Sequence, residues 1–338
     1  MRPLNVADYR EIARRRLPRG VFEYVDRGTE DEVGLRALRT ALDAVRFAPR
    51  VLRDVSALDL STEVFGRRLP LPVIAAPTAM AGLLWRDGEV QLARAARDAG
   101  IPFCISTQST TSIEDIAAGA PGAELWFQLY VWQNRTLTDA LLARVRAAGA
   151  STLVLTADTP ASPKKEWNVR NGFGVPIVPS LRGGIDVALH PRWLLGVLLR
   201  RALATGLPTY AHYPEAFKTR ITRAAAAPDL RLATNVTWDE LRALRRRWPG
   251  RLVVKGILRA DDAQQALDCG ADGIVVSSHG GRNLDGAPAP IDVLPAIADR
   301  VGARMTEVLF YHLQNMTLES VLPPLLEKSL ERGWRVVV

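Results

Sequence analysis

Cysteine is scarce in this chain: its 338 residues include two, Cys104 and Cys269. Neither stands in a CxxC or another metal-ligand spacing, and both lie among apolar neighbours. Two buried free thiols in a reducing compartment are expected, with no disulfide framework and no metal. Long apolar runs are missing too. No stretch reaches the roughly 18 apolar residues of a membrane-spanning helix. The N-terminal "MRPLNVADYREIARRRLP" lacks the apolar core of a secretory signal, so a cytoplasmic protein is expected. No GxGxxG follows any strand-like run, which argues against a dinucleotide fold. Histidine is limited to four residues.

What is present reads as globular: 48% hydrophobic and 24% charged residues, with a formal net charge of +8. The excess is mostly arginine. Spread over helix surfaces it reads as solvated charge, and nucleic acid is not an expected partner.

Strand and helix signals alternate along the chain. Short apolar runs at 69–77, 101–107, 125–130 and 151–158 are each followed by a helical pattern, except the last. A long gap then runs from 159 to about 235, and the pattern resumes with strands at 251–257 and 273–280. Four strands before the gap and two after it, with helical patterns between them, make a parallel β/α series. The strands end in Ser106, Gln128 with Tyr130, Asp158, Lys255 and His279. A (β/α)8 barrel gathers such ends on one face, where its active site lies.

His279 sits in "GIVVSSHGGRNLDG" (273–286), at the tip of an apolar run. A lone histidine there is more often structural than catalytic. Six polar groups on one predicted face reverse that reading. His279 is a base near neutral pH, and Asp158 would hold its imidazole in one tautomer. Gly280 and Gly281 would let a ligand approach the backbone. Arg282 is a carboxylate-binding fork. Lys255 is a fixed cation beside a developing anion. Tyr24 and Tyr130 offer hydroxyls.

Taken together, "APTAM" (76–80), "FQLY" (127–130), "LTADTP" (155–160), "VVKGI" (253–257) and "SSHGGRNLDG" (277–286) resemble the FMN-dependent α-hydroxy-acid dehydrogenase and oxidase family, and "VFEYVDRGTEDE" (21–32) fits its N-terminal signature. Glycolate oxidase and the lactate and mandelate dehydrogenases are members. The resemblance covers residues 3–304 and implies oxidation of an L-2-hydroxy acid to the 2-oxo acid. By position it implies flavin contacts from the backbone of Pro77, Thr78 and Ala79. Ser106, Gln128 and Thr156 would bond the isoalloxazine, Lys255 would sit at its N1–C2 edge, and Ser277 would hold the ribityl chain. Tyr24, Tyr130 and Arg282 would bind the substrate, with His279 as base and Asp158 behind it.

Three departures stand out. Lys165 falls where the family places an arginine that clamps the substrate carboxylate; the charge stays but the fork is lost, so weaker or altered substrate binding is expected. Ser278 replaces the asparagine of the family's SNHGGR motif. After residue 304 the Gly- and Arg-rich loops that hold the FMN phosphate do not occur in the sequence. The expected fold is therefore a TIM barrel truncated after its sixth unit. The tail 305–338 resembles the start of the chi subunit of bacterial DNA polymerase III. It would either imitate a β7-α7-β8 completion, with a helix over its middle, or hang as a misfit. A truncated remnant with weak or no FMN binding is the alternative to an active enzyme.

The segment 189–225, within the insert 159–235, mixes Trp193 and a leucine cluster with arginines. It resembles the membrane-binding insert of the mandelate and lactate dehydrogenase branch. Peripheral contact with the inner face of the cytoplasmic membrane is expected. The family further implies a quinone or other respiratory acceptor and a tetramer.

Overall fold

The structure is a computed structural model and describes residues 2–173, 177, 180–218, 228–302, 308–310 and 336–337. Three helices open the chain: α1 (Val6–Arg16), α2 (Arg19–Asp26) and α3 (Val33–Ala44). Asn5 caps α1, its side chain accepting from the Asp8 N–H at 2.9 Å. Pro18 separates α1 from α2 by fixing an extended backbone between them. A hairpin of β1 (Thr62–Val64) and β2 (Arg67–Leu69) follows. Then come α4 (Ala81–Leu84) and α5 (Gly88–Asp98).

The body alternates strand and helix. β3 (Phe103–Ser106), α6 (Ile113–Gly119), β4 (Leu125–Leu129), α7 (Arg135–Ala147) and β5 (Thr152–Thr156) precede the insert. The insert carries α8 (Glu166–Asn171), α9 (Leu181–Ala188) and α10 (Pro191–Trp193). A π-helical segment, Leu194–Leu199, leads into α11 (Arg200–Thr205). After it come α12 (Trp238–Arg247), β6 (Arg251–Ile257), α13 (Ala260–Asp268), β7 (Gly273–Val276) and α14 (Pro290–Val301). β8 (Val308–Phe310) and β9 (Val336–Val337) lie in the tail.

β3 to β9 form one seven-stranded sheet in chain order, and every pair is parallel. The expected first strand at 69–77 is reduced to a single parallel bridge between Ala75 and Phe103. Pro70, Pro72 and Pro77 explain that, since proline cannot donate to a ladder. The sheet does not stop at the sixth unit: β8 pairs with β7 and β9 with β8. The helix expected in the middle of the tail lies outside the described residues.

Both faces of the sheet are buried, which is why its strands read as nearly continuous apolar runs. Phe103, Ile105, Phe127, Leu153, Leu155, Val254 and Ile274 face the helices. Cys104, Trp126, Val154, Val253 and Val275 face the other way and pack on Val64, Phe65 and Leu69 of the hairpin. A strand repeats its face every second residue. One step further along, that inner face therefore presents Ser106, Gln128, Thr156, Lys255 and Ser277. After another step it presents Tyr130, Asp158 and His279. The apolar layer beneath is the floor on which both polar layers stand.

The insert, a gap in the strand–helix pattern of the sequence, carries helices among its described residues. Trp193 and Val197 bury against Leu17, Val21, Met80, Leu83 and Phe173. Trp193 also donates from its indole N–H to the Leu83 carbonyl at 2.8 Å. Its other face stays open: Leu181, Leu189 and Leu203 are 83%, 73% and 80% exposed.

Candidate active site

The first polar layer is buried and internally bonded. Gln128 Oε1 accepts from Ser106 Oγ at 3.3 Å and from the Thr107 N–H at 3.2 Å. Gln128 Nε2 donates to Thr156 Oγ1 at 2.9 Å. Lys255 is 7% exposed; among the described residues its ammonium makes no direct hydrogen bond or ion pair, although its charge acts on the Asp158 carboxylate. A buried ammonium with no direct hydrogen-bond acceptor favours an electronegative group beside it. That preference and the row of amide and hydroxyl groups fit the polar edge of a flat heterocycle such as a flavin. Pro77 and Ala79 are half-buried and Thr78 is exposed. They are tied to the loop after β3, where the Met80 N–H donates to the Gln108 carbonyl at 3.1 Å.

The second layer joins three strand ends. His279 Nδ1 lies 2.8 Å from Asp158 Oδ1, and its Nε2 lies 3.4 Å from the Tyr130 hydroxyl. Burial pushes the Asp158 carboxyl up, but Lys255 and the bond to His279 outweigh it and hold the group below its usual value. The ionised carboxylate can only accept, so Nδ1 carries the hydrogen and Nε2 presents a lone pair. Burial and then Lys255 push the His279 imidazole down, which favours its neutral form. Burial also raises the Tyr130 and Tyr24 hydroxyls, so both stay protonated donors.

Backbone geometry makes this pairing possible. His279 adopts φ +57°, held by its own N–H donating to Ser277 Oγ at 3.0 Å. Ser277 is thus engaged at the turn itself. Gly256 adopts φ +105°, and a Cβ there would stand 2.6 Å from the Asp158 Cβ. Only glycine leaves Asp158 its place.

Two expectations change. A Cβ on Gly281 would meet the Leu35 nitrogen at 2.5 Å, so this glycine makes room for α3 and not for a ligand. Arg282 does not present a free fork. Its Nη1 donates to the carbonyls of Val25 and Arg27 at 2.7 and 2.9 Å, and its Nη2 to that of Tyr24. Those carbonyls are the orphan acceptors at the C-terminal end of α2, which the half-buried Arg282 guanidinium satisfies. Lys165 is the more available cation: its Nζ lies 5.4 Å from the centre of the Tyr24 ring, and burial with Arg282 pushes it down to about 8. Ser278 is buried, its hydroxyl without a partner among the described residues.

Sequence reasoning missed Thr107 and His212, both buried behind the first layer. The polar run "STQSTT" directly after an apolar strand was the available signal for Thr107. His212 lies 99 residues from its partner Ile113 and leaves no local pattern.

The FMN-dependent dehydrogenase family model matches residues 13–310. The putative L-lactate dehydrogenase of Mycobacterium tuberculosis is 40% identical over 306 residues, covering 90% of this chain and 72% of that one. The (S)-mandelate dehydrogenase of Pseudomonas putida is 39% identical, covering 88% and 74%. This chain belongs to the FMN-dependent dehydrogenase family. A crystal structure of the monotopic membrane protein (S)-mandelate dehydrogenase superposes with a TM-score of 0.85 at 38% identity, covering 92% of this chain and 80% of that one. FMN is the cofactor of this family of hydroxy-acid dehydrogenases.

Proposed function

We propose that this protein oxidises an L-2-hydroxy acid to the 2-oxo acid at the His279 cluster. The observation that carries this reading is His279 Nε2, which presents a lone pair beside the Tyr130 hydroxyl while Asp158 holds Nδ1 at 2.8 Å. Nε2 takes a proton from the substrate, and Asp158 stabilises the imidazolium that results. Tyr24 and Tyr130 donate hydrogen bonds to the acid. Lys165 supplies the charge for its carboxylate, and Arg282 adds charge while holding α2. FMN, when bound, supplies a two-electron acceptor. The residues to hold it are the Pro77–Ala79 backbone, Ser106, Gln128, Thr156, Lys255 and Ser277.

The fold reading is a (β/α)8 barrel. Ala75 takes the first stave's place, and β8 and β9 of the foreign tail (305–338) stand in for the last two. The open apolar face of α9–α11, with Arg192 and Arg200, suits shallow seating on the inner face of the cytoplasmic membrane. That placement favours a quinone or another respiratory acceptor. Homo-oligomerisation rests on the family alone.

A second reading is a non-catalytic remnant. It is favoured by one observation: residues 303–338 include a single glycine, Gly333, and no Gly-Arg-rich phosphate loop. Titrating apo-protein with FMN and following flavin fluorescence separates the two. Quenching with a micromolar midpoint, followed by lactate- or mandelate-dependent dye reduction, supports the enzyme. No quenching at about a hundredfold higher FMN, with no dye reduction, leaves the remnant.

A further inference from the structure

The loop after β3 is clasped by the insert. The Thr107 carbonyl accepts from His212 Nδ1 at 3.1 Å, and the Ser109 carbonyl accepts from the Ala211 N–H at 3.0 Å. The Thr110 carbonyl accepts from Arg201 Nη2 at 2.5 Å. All three donors belong to the segment between β5 and β6.

His212 is the centre of this clasp. It is 1% exposed, and its ring stands edge-on to Phe127 with centroids 5.1 Å apart. The Ile113 N–H donates to its Nε2 at 3.0 Å. A backbone N–H can only donate, so Nε2 is bare and Nδ1 carries the hydrogen that Thr107 accepts. The imidazole is locked in one neutral tautomer, with no nitrogen left for a ligand.

Thr107 passes this constraint into the site. Its N–H donates to Gln128 Oε1 at 3.2 Å, and its hydroxyl donates to the Gln128 carbonyl at 2.6 Å. The same hydroxyl oxygen accepts from the Tyr130 N–H at 3.0 Å. Gln128 belongs to the cofactor-facing layer, and Tyr130 to the layer of His279.

We infer that His212 is a positioning residue: through Thr107 it sets the amide of Gln128 and the backbone of Tyr130, so the insert is part of the site and not only a surface appendage. The inference rests on the FMN reading for what Gln128 meets, whereas the clasp is a property of the chain alone.

Two measurements on the full chain test it. His212→Phe keeps the ring and removes both hydrogen bonds, whereas His212→Gln keeps a donor and an acceptor. In the apo-protein, amide hydrogen exchange over 107–113 should speed up in the phenylalanine variant and return towards wild type in the glutamine variant. FMN affinity should fall about tenfold to a hundredfold in the first and recover in the second. A folded phenylalanine variant with a lower melting temperature but wild-type FMN affinity would mean a merely structural histidine and would overturn the inference. So would a glutamine variant no better than phenylalanine. If the phenylalanine variant does not fold, His212→Asn, too short to reach both partners, takes its place with the same outcomes. If wild type itself takes up no FMN, the cofactor reading fails, while the exchange measurement still decides on the clasp.

Discussion

His212 is buried and His279 half-buried, yet both are pushed below the usual imidazole value by desolvation, and both donate from Nδ1 to an oxygen. Their difference lies at the other nitrogen. At His212 it accepts from the Ile113 backbone N–H at 3.0 Å, fixed inside the fold; at His279 it has only a long contact of 3.4 Å from the Tyr130 hydroxyl, a side chain that can turn to another acceptor. The surroundings differ in the same sense. His212 has a neutral carbonyl behind it, whereas His279 has the ionised Asp158, with Lys255 near by. A carboxylate can stabilise a proton arriving on the ring, and an amide carbonyl does so far less. Burial alone therefore does not mark a catalytic histidine. What would suit a histidine to proton transfer is one nitrogen that a substrate can reach and an anion behind the other.

The largest effect should come from removing the open nitrogen. His279→Asn suits this test, because asparagine tolerates the φ of +57° at this position. We expect kcat/KM to fall about 10²–10⁴-fold with FMN affinity retained. In wild type the acid limb of kcat/KM should lie below the ordinary imidazole value of about 6.5, since burial and Lys255 lower this group. A limb above that value, or an asparagine variant within threefold of wild type, would remove His279 as the base.

The closed histidine should register in stability instead. Burial pushes His212 down to about 4, so the unfolded chain holds its proton more tightly than the folded one. Its contribution is fully present above about pH 6.5 and is lost as pH falls towards 4. The integrated effect is about 3 kcal/mol. Urea midpoints measured between pH 7 and pH 4 should therefore fall more steeply for wild type than for His212→Gln, which cannot take up the proton. Parallel curves would show that the ring is not held neutral.

The periodicity of two made much of this legible in the sequence. The strand at 251–257 and most helix bounds follow from apolar spacing, and the reactive strand ends follow from the same rule one and two steps on. Contacts that join distant segments were not legible. Arg282 reads as a carboxylate fork until its hydrogen bonds to residues 255–258 positions away are seen. His212 and Gly281 have the same property, since their partners lie on the loop after β3 and on α3. The helices of the insert were hidden for another reason: prolines and glycines interrupt them, and apolar residues stand on both the packed and the open side, which blurs the helical period.

The smallest effect should come from Lys165, and it sharpens the contrast by showing a group in the site that titrates near neutral pH. Burial and Arg282 push its ammonium down to about 8. The charged form, which would attract the substrate carboxylate, is present below that value and lost above it. KM for the 2-hydroxy acid should thus rise by up to about tenfold between pH 7 and 9, with kcat changing less. Lys165→Arg should flatten that rise, because guanidinium keeps its charge throughout the range. Lys165→Met should show the high KM at every pH. A KM that climbs equally in wild type and in the arginine variant would place the titration elsewhere and leave the carboxylate to the tyrosine hydroxyls and the fixed charge of Arg282.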